Sequence, residues 1–196
     1  MANLNRNKLL NATLFFAKNT KGLNTTKLLK LLYFLDFSYF KQTGYPSIGL
    51  EYYSFQNGPV PKSFWLEIKG DKVPEDFEGK IAIIPVQDEN SFKTGYKERQ
   101  FKALVPPDMS VFSPREKELL TNLASIFRDA KAWLMSEATH LHSQPWDTTI
   151  KTKGKNKPID YLLCLDEEDD ICPAVAQESL KEYFEMLDNF DIHPSK

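Results

Sequence analysis

The sequence predicts a predominantly helical α+β single domain, with a small antiparallel β-sheet inserted between early and late helices. Apolar residues recur at three- and four-residue steps in several segments, which is typical of amphipathic helices. Short stretches of alternating apolar and polar residues lie between them, which is typical of strands. With 196 residues, 41% hydrophobic and 27% charged, the chain is long enough to bury a core as one domain spanning residues 1–196.

Two helices are predicted near the N-terminus. The first spans residues 6–18. The second begins at an N-cap at Asn24 or Thr25 and ends near Gln42, with Gly44 on its C-terminal side, where a left-handed residue commonly ends a helix. One face of this second helix is predicted to be core, and it consists of Leu28, Leu31, Leu32, Leu35 and Tyr39.

The opposite stripe of the second helix is unusual for a solvated surface. It combines two phenylalanines with three lysines: Lys27, Lys30, Phe34, Phe37 and Lys41. Adjacent exposed phenylalanines indicate a covered face. Either another element of the chain covers this stripe, or a partner does.

The middle of the chain predicts a strand, a rigid turn and a third helix. Residues 51–56 alternate like a strand and end at Asn57-Gly58. Pro59 fixes its own φ and offers no N–H, which argues against a phosphate-binding loop. Pro61 suits the first turn of a helix over residues 61–69, in which Phe64, Trp65 and Ile68 are the expected packing residues.

The later elements include one hairpin and several helices. Residues 81–86 and 98–105 are predicted to pair as antiparallel strands. Ser113, Pro114 and Glu116 predict a capping box on a helix that ends near Trp133.

A short helix is expected over residues 136–142 and is closed by Pro145-Trp146. A basic loop over 151–158 and a last helix from Pro173 or Ala174 follow, with core residues Leu180, Tyr183, Phe184 and Leu187.

The chemistry-bearing residues do not form a catalytic pattern. His140 and His142 would point about 200° apart on a helix, so they disfavour a shared metal ion. Cys164 and Cys172 are expected to be free and largely buried thiols, and residues 166–170 read as a solvated acidic run. No metal, cofactor or enzyme activity is therefore expected, and a small metal-dependent hydrolase is the minority interpretation.

Charge and hydropathy restrict the partners. The formal net charge is −2, which argues against a nucleic-acid ligand. No apolar run approaches the length of about 20 residues that spans a bilayer, and the polar N-terminus lacks the features of a signal peptide. We therefore expect a cytoplasmic protein without membrane contact.

Several sequence features together resemble one known family. These are the lysine- and leucine-rich helix with Leu31, Leu32 and Tyr33, then the turn Gly58, Pro59 and Val60, and finally His140 followed by Trp146. In this order they resemble the Panacea domain, the family of SocA-like antitoxins and phage-associated proteins. The likeness covers about residues 5–146. The segment 151–196, with its charged loop and last helix, lies outside it and is expected to be a subfamily extension.

The resemblance implies a bacterial or prophage antitoxin that binds a cognate protein toxin encoded by a neighbouring gene. A proteolytic adaptor, which delivers its partner to a protease, is the alternative, and a chaperone is another conceivable partner. The expected contact surface joins the stripe to the turn and consists of Lys30, Phe34, Phe37, Lys41, Tyr53 and Trp65. Core packing is the alternative role for Tyr53 and Trp65. Structural roles are expected for the turn, for His140 as a core hydrogen-bonding residue and for Trp146 as a core plug.

Overall fold

The computed structural model describes residues 4–70, 72–85, 99–140, 144–166, 169 and 171–189. Within these residues, helices dominate and the strands form two small antiparallel sheets, which confirms the predicted α+β class. The elements are α1 (Leu4–Asn19), α2 (Thr25–Thr43), β1 (Tyr52–Phe55), β2 (Gly58–Pro61), α3 (Lys62–Ile68), β3 (Ile81–Pro85), β4 (Arg99–Ala103), α4 (Pro114–Ile126), α5 (Ala132–Thr139), α6 (Pro145–Lys153) and α7 (Pro173–Asn189). None of these helices combines the length and apolar composition that a membrane-spanning helix needs.

Helix α2 lies at the centre of the fold, and its predicted bounds are confirmed. The Asn24 side chain caps its N-terminus by accepting a hydrogen bond from the Lys27 N–H, and Gly44 ends it in the left-handed conformation. It contacts α1, α4, α5, β2 and the short 3₁₀ helix Tyr161–Cys164. Tyr39, predicted to be core, is only half-buried, whereas Phe40 is fully buried. A helix surrounded on nearly all sides needs apolar residues on more than one face.

The β1–β2 hairpin has a second strand that the sequence did not predict. Gln56 and Asn57 form its two-residue turn, and Phe55 pairs with Gly58. Two prolines in a four-residue segment argue against a strand, because proline cannot donate to the ladder. All four residues of β2 are in register with β1, but only Gly58 and Val60 have N–H groups, so only these alternate residues can donate backbone hydrogen bonds.

A later segment of the chain covers the free edge of β1. Ser54 donates its N–H to the Lys157 carbonyl and accepts from the Asn156 N–H, and Tyr53 forms a bridge with Pro158. The segment outside the recognised family features is therefore packed directly on the hairpin.

The second hairpin and the capping box agree with the sequence. Strand β3 pairs with β4 in the register Ile81↔Ala103, while the predicted loop and the adjacent strand ends over 86–98 lie outside the described residues. Ser113 accepts from the Glu116 N–H, and the Glu116 carboxylate accepts from the Ser113 N–H at 2.7 Å. Lys8 and Ser47 also donate to Glu116 at 2.7 Å. Burial opposes ionisation of Glu116, but these donors outweigh it and lower the pKa of the carboxyl.

The boundaries of the later helices differ from the prediction. Helix α4 ends at Ile126 and not near Trp133, and α5 begins at Ala132 instead of residue 136. The connecting loop is held by the buried ammonium of Lys27, which donates to the carbonyls of Arg128 and Ala130. This long-range interaction ends α4, and local periodicity cannot reveal it.

Four expectations for the C-terminal third were wrong. Pro145 opens helix α6 and does not close a segment, since its missing N–H is not needed at the first helical turn. Consequently the predicted basic loop is helical up to Lys153. Phe184 and Cys172 are both exposed, although they were expected to be core and largely buried. The last helix does begin at Pro173 as predicted.

Asp36 on α2 forms a fully buried polar centre. Its carboxylate accepts from the N–H groups of Ile48 (2.6 Å) and Leu50 (3.2 Å) and from the Tyr52 hydroxyl (3.0 Å). Burial raises the pKa of Asp36, and these donors oppose that shift. The Tyr161 hydroxyl lies beside the carboxylate and donates to the Leu50 carbonyl at 2.6 Å. The loop after α2, strand β1 and the Tyr161–Cys164 turn therefore meet at one point.

Candidate functional site

Lys30 lies beneath the β1–β2 hairpin and is 2% exposed. Its ammonium donates to the carbonyls of Asn57 at 2.9 Å and Pro59 at 3.1 Å. Burial lowers the pKa of Lys30 to about 7. The prediction that Lys30 belongs to an exposed contact stripe is wrong. The Lys30 ammonium is buried, and carbonyls of the proline-rich hairpin accept its hydrogen bonds.

Gly58 occupies a position that only glycine fits. Its φ is +104°, and an added Cβ would overlap the Lys30 Nζ and lie 3.0 Å from the His140 Nε2. Lys30 cannot swing away without losing both of its carbonyl acceptors. The predicted structural role of Gly58 therefore has a specific cause, which is the close approach of the hairpin to Lys30.

His140 and Trp146 close the same cluster from the other side. Their rings stack at 4.0 Å with an interplanar angle of 19°, and the Trp146 indole N–H donates to the Phe55 carbonyl at 2.9 Å. His140 is hydrogen-bonded to the Asn57 backbone, while its buried Nε2 has no partner among the described residues. Burial and then the charge of Lys30 lower the pKa of His140, which favours the neutral form of the ring.

We call Lys30, Gly58, His140 and Trp146 the hairpin hub. The remaining sequence markers surround it: Leu31, Leu32, Tyr33 and Pro59 are buried, and Val60 is half-buried. Residues far apart in sequence thus converge on one contact between α2, the hairpin and α5–α6. Sequence reasoning found the members of the hub but not their meeting point.

A shallow groove lies beside the hub, between α2 and the α5–α6 region. Its volume is about 100 Å³, and it is lined by Tyr33, Phe34, Phe37, Ser38, Lys41, Ala138, Thr139, Gln144, Pro145 and Cys164. Phe37 is only 5% exposed and packs on Tyr161 at 4.5 Å. Phe34 is half-buried and stacks on Phe127 at 5.0 Å. The chain itself covers Phe37, which is the first of the two alternatives given for this stripe, and this leaves Phe37 little surface for a partner.

Two polar side chains that line the groove, Lys41 and Cys164, are not available as free charged groups. Lys41 donates to Asp166 at 2.8 Å and lies 3.3 Å from Asp169. The hydrogen bond to Asp166 is the main cause that raises the pKa of Lys41. Burial raises the pKa of the Cys164 thiol to about 12, so this thiol stays protonated at neutral pH, as expected for an inert cysteine.

Exposed apolar side chains occur at the end of α4 and in the first turn of α5. Ile126, Trp133 and Leu134 are 70%, 57% and 44% exposed. Leu134 precedes Ala138, a groove residue, by one helical turn and so shares its face. Phe127, which follows Ile126, stacks on Phe34 in the groove wall. We call Ile126, Trp133 and Leu134 the α5 patch, and sequence reasoning did not single it out.

Tyr53 and Trp65 lie on the outer face of the hairpin and not with the groove residues. Burial alternates along β1, with Tyr52 inside and Tyr53 half-buried outside. Trp65 packs edge-on against Phe55 at 5.5 Å. Both side chains are half-buried and keep some exposed surface, so their proposed contact role stays a prediction.

No group of three or more possible metal ligands occurs in the described part of the chain. His142, which was considered as a ligand together with His140, lies outside the described residues, as do the third histidine, His193, and three members of the acidic run over 166–170.

The sequence profile of one family matches the chain. The family is described as "Antitoxin SocA-like, Panacea domain", and its match covers residues 28–147, which is more than half of the chain. The chain therefore belongs to this family, and the resemblance is confirmed. The matched region runs from α2 to the residue after Trp146 and contains the whole hairpin hub. No curated protein and no solved structure matches the chain.

We expect Gly58→Ala to destabilise the protein by about 1–3 kcal/mol more than Gly70→Ala, because its methyl group would overpack the space beside Lys30. Gly70 has a similar positive φ of +75° but nothing within 4 Å of an added Cβ. Its substitution should therefore cost only the backbone strain of about 1–2 kcal/mol. Urea unfolding of both variants measures the difference, and equal losses would show that Lys30 does not restrict Gly58.

The free energy of unfolding should rise with pH between about 7 and 8.5, above which the raised pKa of Cys164 contributes a slope of the opposite sign. The folded pKa of Lys30 is about 7, below the unfolded value of about 10.4. Between these values the unfolded chain binds more protons, so a higher pH favours the folded state. Urea unfolding at several pH values measures the slope.

Lys30→Met should flatten this pH dependence, because it removes the titrating group. Lys27 should leave a smaller slope of the same sign, since burial lowers its pKa as well. Lys72→Met, at an exposed lysine, is the control and should keep the wild-type slope. An unchanged slope in Lys30→Met would contradict a Lys30 that titrates near neutrality.

Proposed function

We propose that this protein is an antitoxin of a bacterial toxin–antitoxin system, which neutralises a protein toxin by direct binding. Membership of the SocA-like antitoxin family over residues 28–147 is the observation that carries the proposal. The toxin would be encoded beside the antitoxin, on a bacterial chromosome or a prophage, and the two proteins would meet in the cytoplasm.

The α5 patch is the surface that best suits such a contact. Trp133 is more than half exposed, and exposed tryptophans with neighbouring aliphatic residues are typical anchors of protein interfaces. The adjoining groove has an aromatic wall and a volume of about 100 Å³, enough space for one side chain of a partner. Patch and groove together form an apolar surface of the kind that marks protein-binding sites.

The patch is held in place before any partner arrives. The loop before α5 is fixed by Lys27, whose ammonium donates to the Arg128 and Ala130 carbonyls at 3.1 and 3.0 Å. Met135 and Thr139 of α5 are buried and anchor the helix on the rest of the fold. A preorganised surface loses little conformational entropy on binding, which favours affinity.

Occlusion is the mechanism that we propose for neutralisation: the α5 patch covers the active site of the toxin or blocks the entry of its substrate. A contact of this kind needs no chemistry from the antitoxin. The adaptor alternative uses the same binding step but requires a protease to remove the toxin.

Trp133→Asp together with Leu134→Asp should abolish rescue of growth when the protein is co-expressed with the toxic product of the neighbouring gene. Two carboxylates would have to be desolvated at the interface, and this should weaken binding by at least a hundredfold. Growth in culture and co-purification of the two proteins are the readouts.

Val175→Asp provides the matched control, because Val175 is 58% exposed on the distant helix α7. It should rescue growth as the wild type does. Full rescue by the folded Trp133/Leu134 variant would refute the α5 patch as the binding surface. Rescue by the wild type that disappears in a strain lacking the relevant protease would replace occlusion with the adaptor mechanism.

A further inference from the structure

The outer face of the β1–β2 hairpin combines aromatic rings with lysines. The Lys62 ammonium lies 5.2 Å from the centre of the Tyr53 ring, and the Lys69 ammonium lies 4.8 Å from the centre of the Trp65 ring. Phe55 joins the two rings through its edge contact with Trp65. Each lysine is thus held over a ring by a cation–π interaction.

The positive charge of this face is not neutralised within the described residues. Neither Lys62 nor Lys69 forms an ion pair there, unlike Lys8 and Lys41. Lys155 and Lys157 are exposed on the segment that pairs with β1 and add to the positive charge at its margin. Glu51 accepts from the Tyr53 hydroxyl at 3.0 Å and brings one acidic group to the face, and among the described residues the lysines of the face and its margin outnumber it.

We propose that this face binds an acidic, extended segment of a protein partner. Carboxylates of such a segment would pair with Lys62 and Lys69, while its backbone and apolar atoms would lie along Tyr53, Phe55 and Trp65. Alternate side chains of an extended segment share one face. Acidic residues at alternate positions would therefore face the two lysines together, with the backbone of the segment against the rings.

A nucleic acid fits the same face less well. Single-stranded nucleic acids bind by stacking bases on open aromatic faces, and here Lys62 and Lys69 each cover one face of a ring. The overall net charge of −2 also opposes a polyanion, which needs many cationic contacts. Charge complementarity on this face therefore favours a few carboxylates over a long phosphate backbone.

The inference deepens the proposed function, because it specifies a chemical feature of the toxin, and it rests on that function for the identity of the partner. The hairpin face is built from other residues than the α5 patch. Peptide binding can therefore be measured without the toxin, and it fails or succeeds independently of growth rescue.

The test uses fluorescence anisotropy with a labelled peptide of alternating glutamate and serine, titrated with the full-length protein at low salt. We expect saturable binding that weakens with salt and is absent for the matching glutamine–serine peptide. Lys62→Gln with Lys69→Gln should weaken binding about five- to tenfold, the loss expected for two exposed ion pairs. Lys72→Gln with Lys102→Gln, at two other exposed lysines, should bind as the wild type does.

Three results would overturn the inference. These are equal binding of the two peptides, equal loss in both lysine variants, or tighter binding of an oligothymidine of similar length than of the acidic peptide. Thermal unfolding of each variant verifies that it is folded. If the peptide binds but the Lys62/Lys69 variant still rescues growth fully, the face binds acidic segments while the toxin does not use it.

Discussion

The architecture depends on buried ionisable side chains of helix α2 that bind main-chain groups of distant segments. Lys27 donates to three carbonyls, including that of Ala130, and Lys30 donates to two carbonyls of the hairpin. Asp36 accepts from the backbone N–H groups that follow α2. A buried charge without partners costs several kcal/mol, so each of these side chains fixes the position of the segment that satisfies it. Helix α2 therefore determines where the loops lie.

This arrangement buries the lysines of α2 and leaves aromatic residues of neighbouring elements at the surface. Lys27 and Lys30 lie inside with the leucines, although lysines are usually exposed. Lys30 binds the hairpin and Lys27 binds the loop before α5. On the outside of these regions lie Tyr53 of the hairpin, Trp65 of α3 and Trp133 of α5. A rigid scaffold that displays aromatic residues suits a protein that acts by binding, which is the function we propose.

Local features were predictable from the sequence, and long-range ones were not. The bounds of α2, the capping box of Ser113 and the β3–β4 hairpin follow from caps and periodicity, which act within a few residues. The burial of Lys30 does not, because its acceptors Asn57 and Pro59 lie 27 and 29 residues away. The long side chain of Lys30 reaches these two carbonyls across the fold, and the periodicity of the sequence cannot predict such a contact.

The candidate site was predictable in part. Phe34 and Phe37, which were predicted to share one stripe of α2, both line the groove, and the family resemblance is confirmed. The ring of Tyr161, however, comes from a segment outside those features and covers Phe37. Trp133 lies on a separate helix after α4, and the loop between the two helices is bound by Lys27, an interaction over about a hundred residues that local sequence does not show.

Hydrogen–deuterium exchange of the protein, alone and with the toxin encoded beside it, tests the central claim most directly. Helix α2 and the hairpin hub should be protected in the free protein, since their polar groups are satisfied within the chain. Addition of the toxin should increase protection in α5 and the outer hairpin and leave α2 unchanged. Protection by the toxin confined to α1 or α7, or rapid exchange of α2 in the free protein, would contradict a preorganised scaffold that binds through these surfaces.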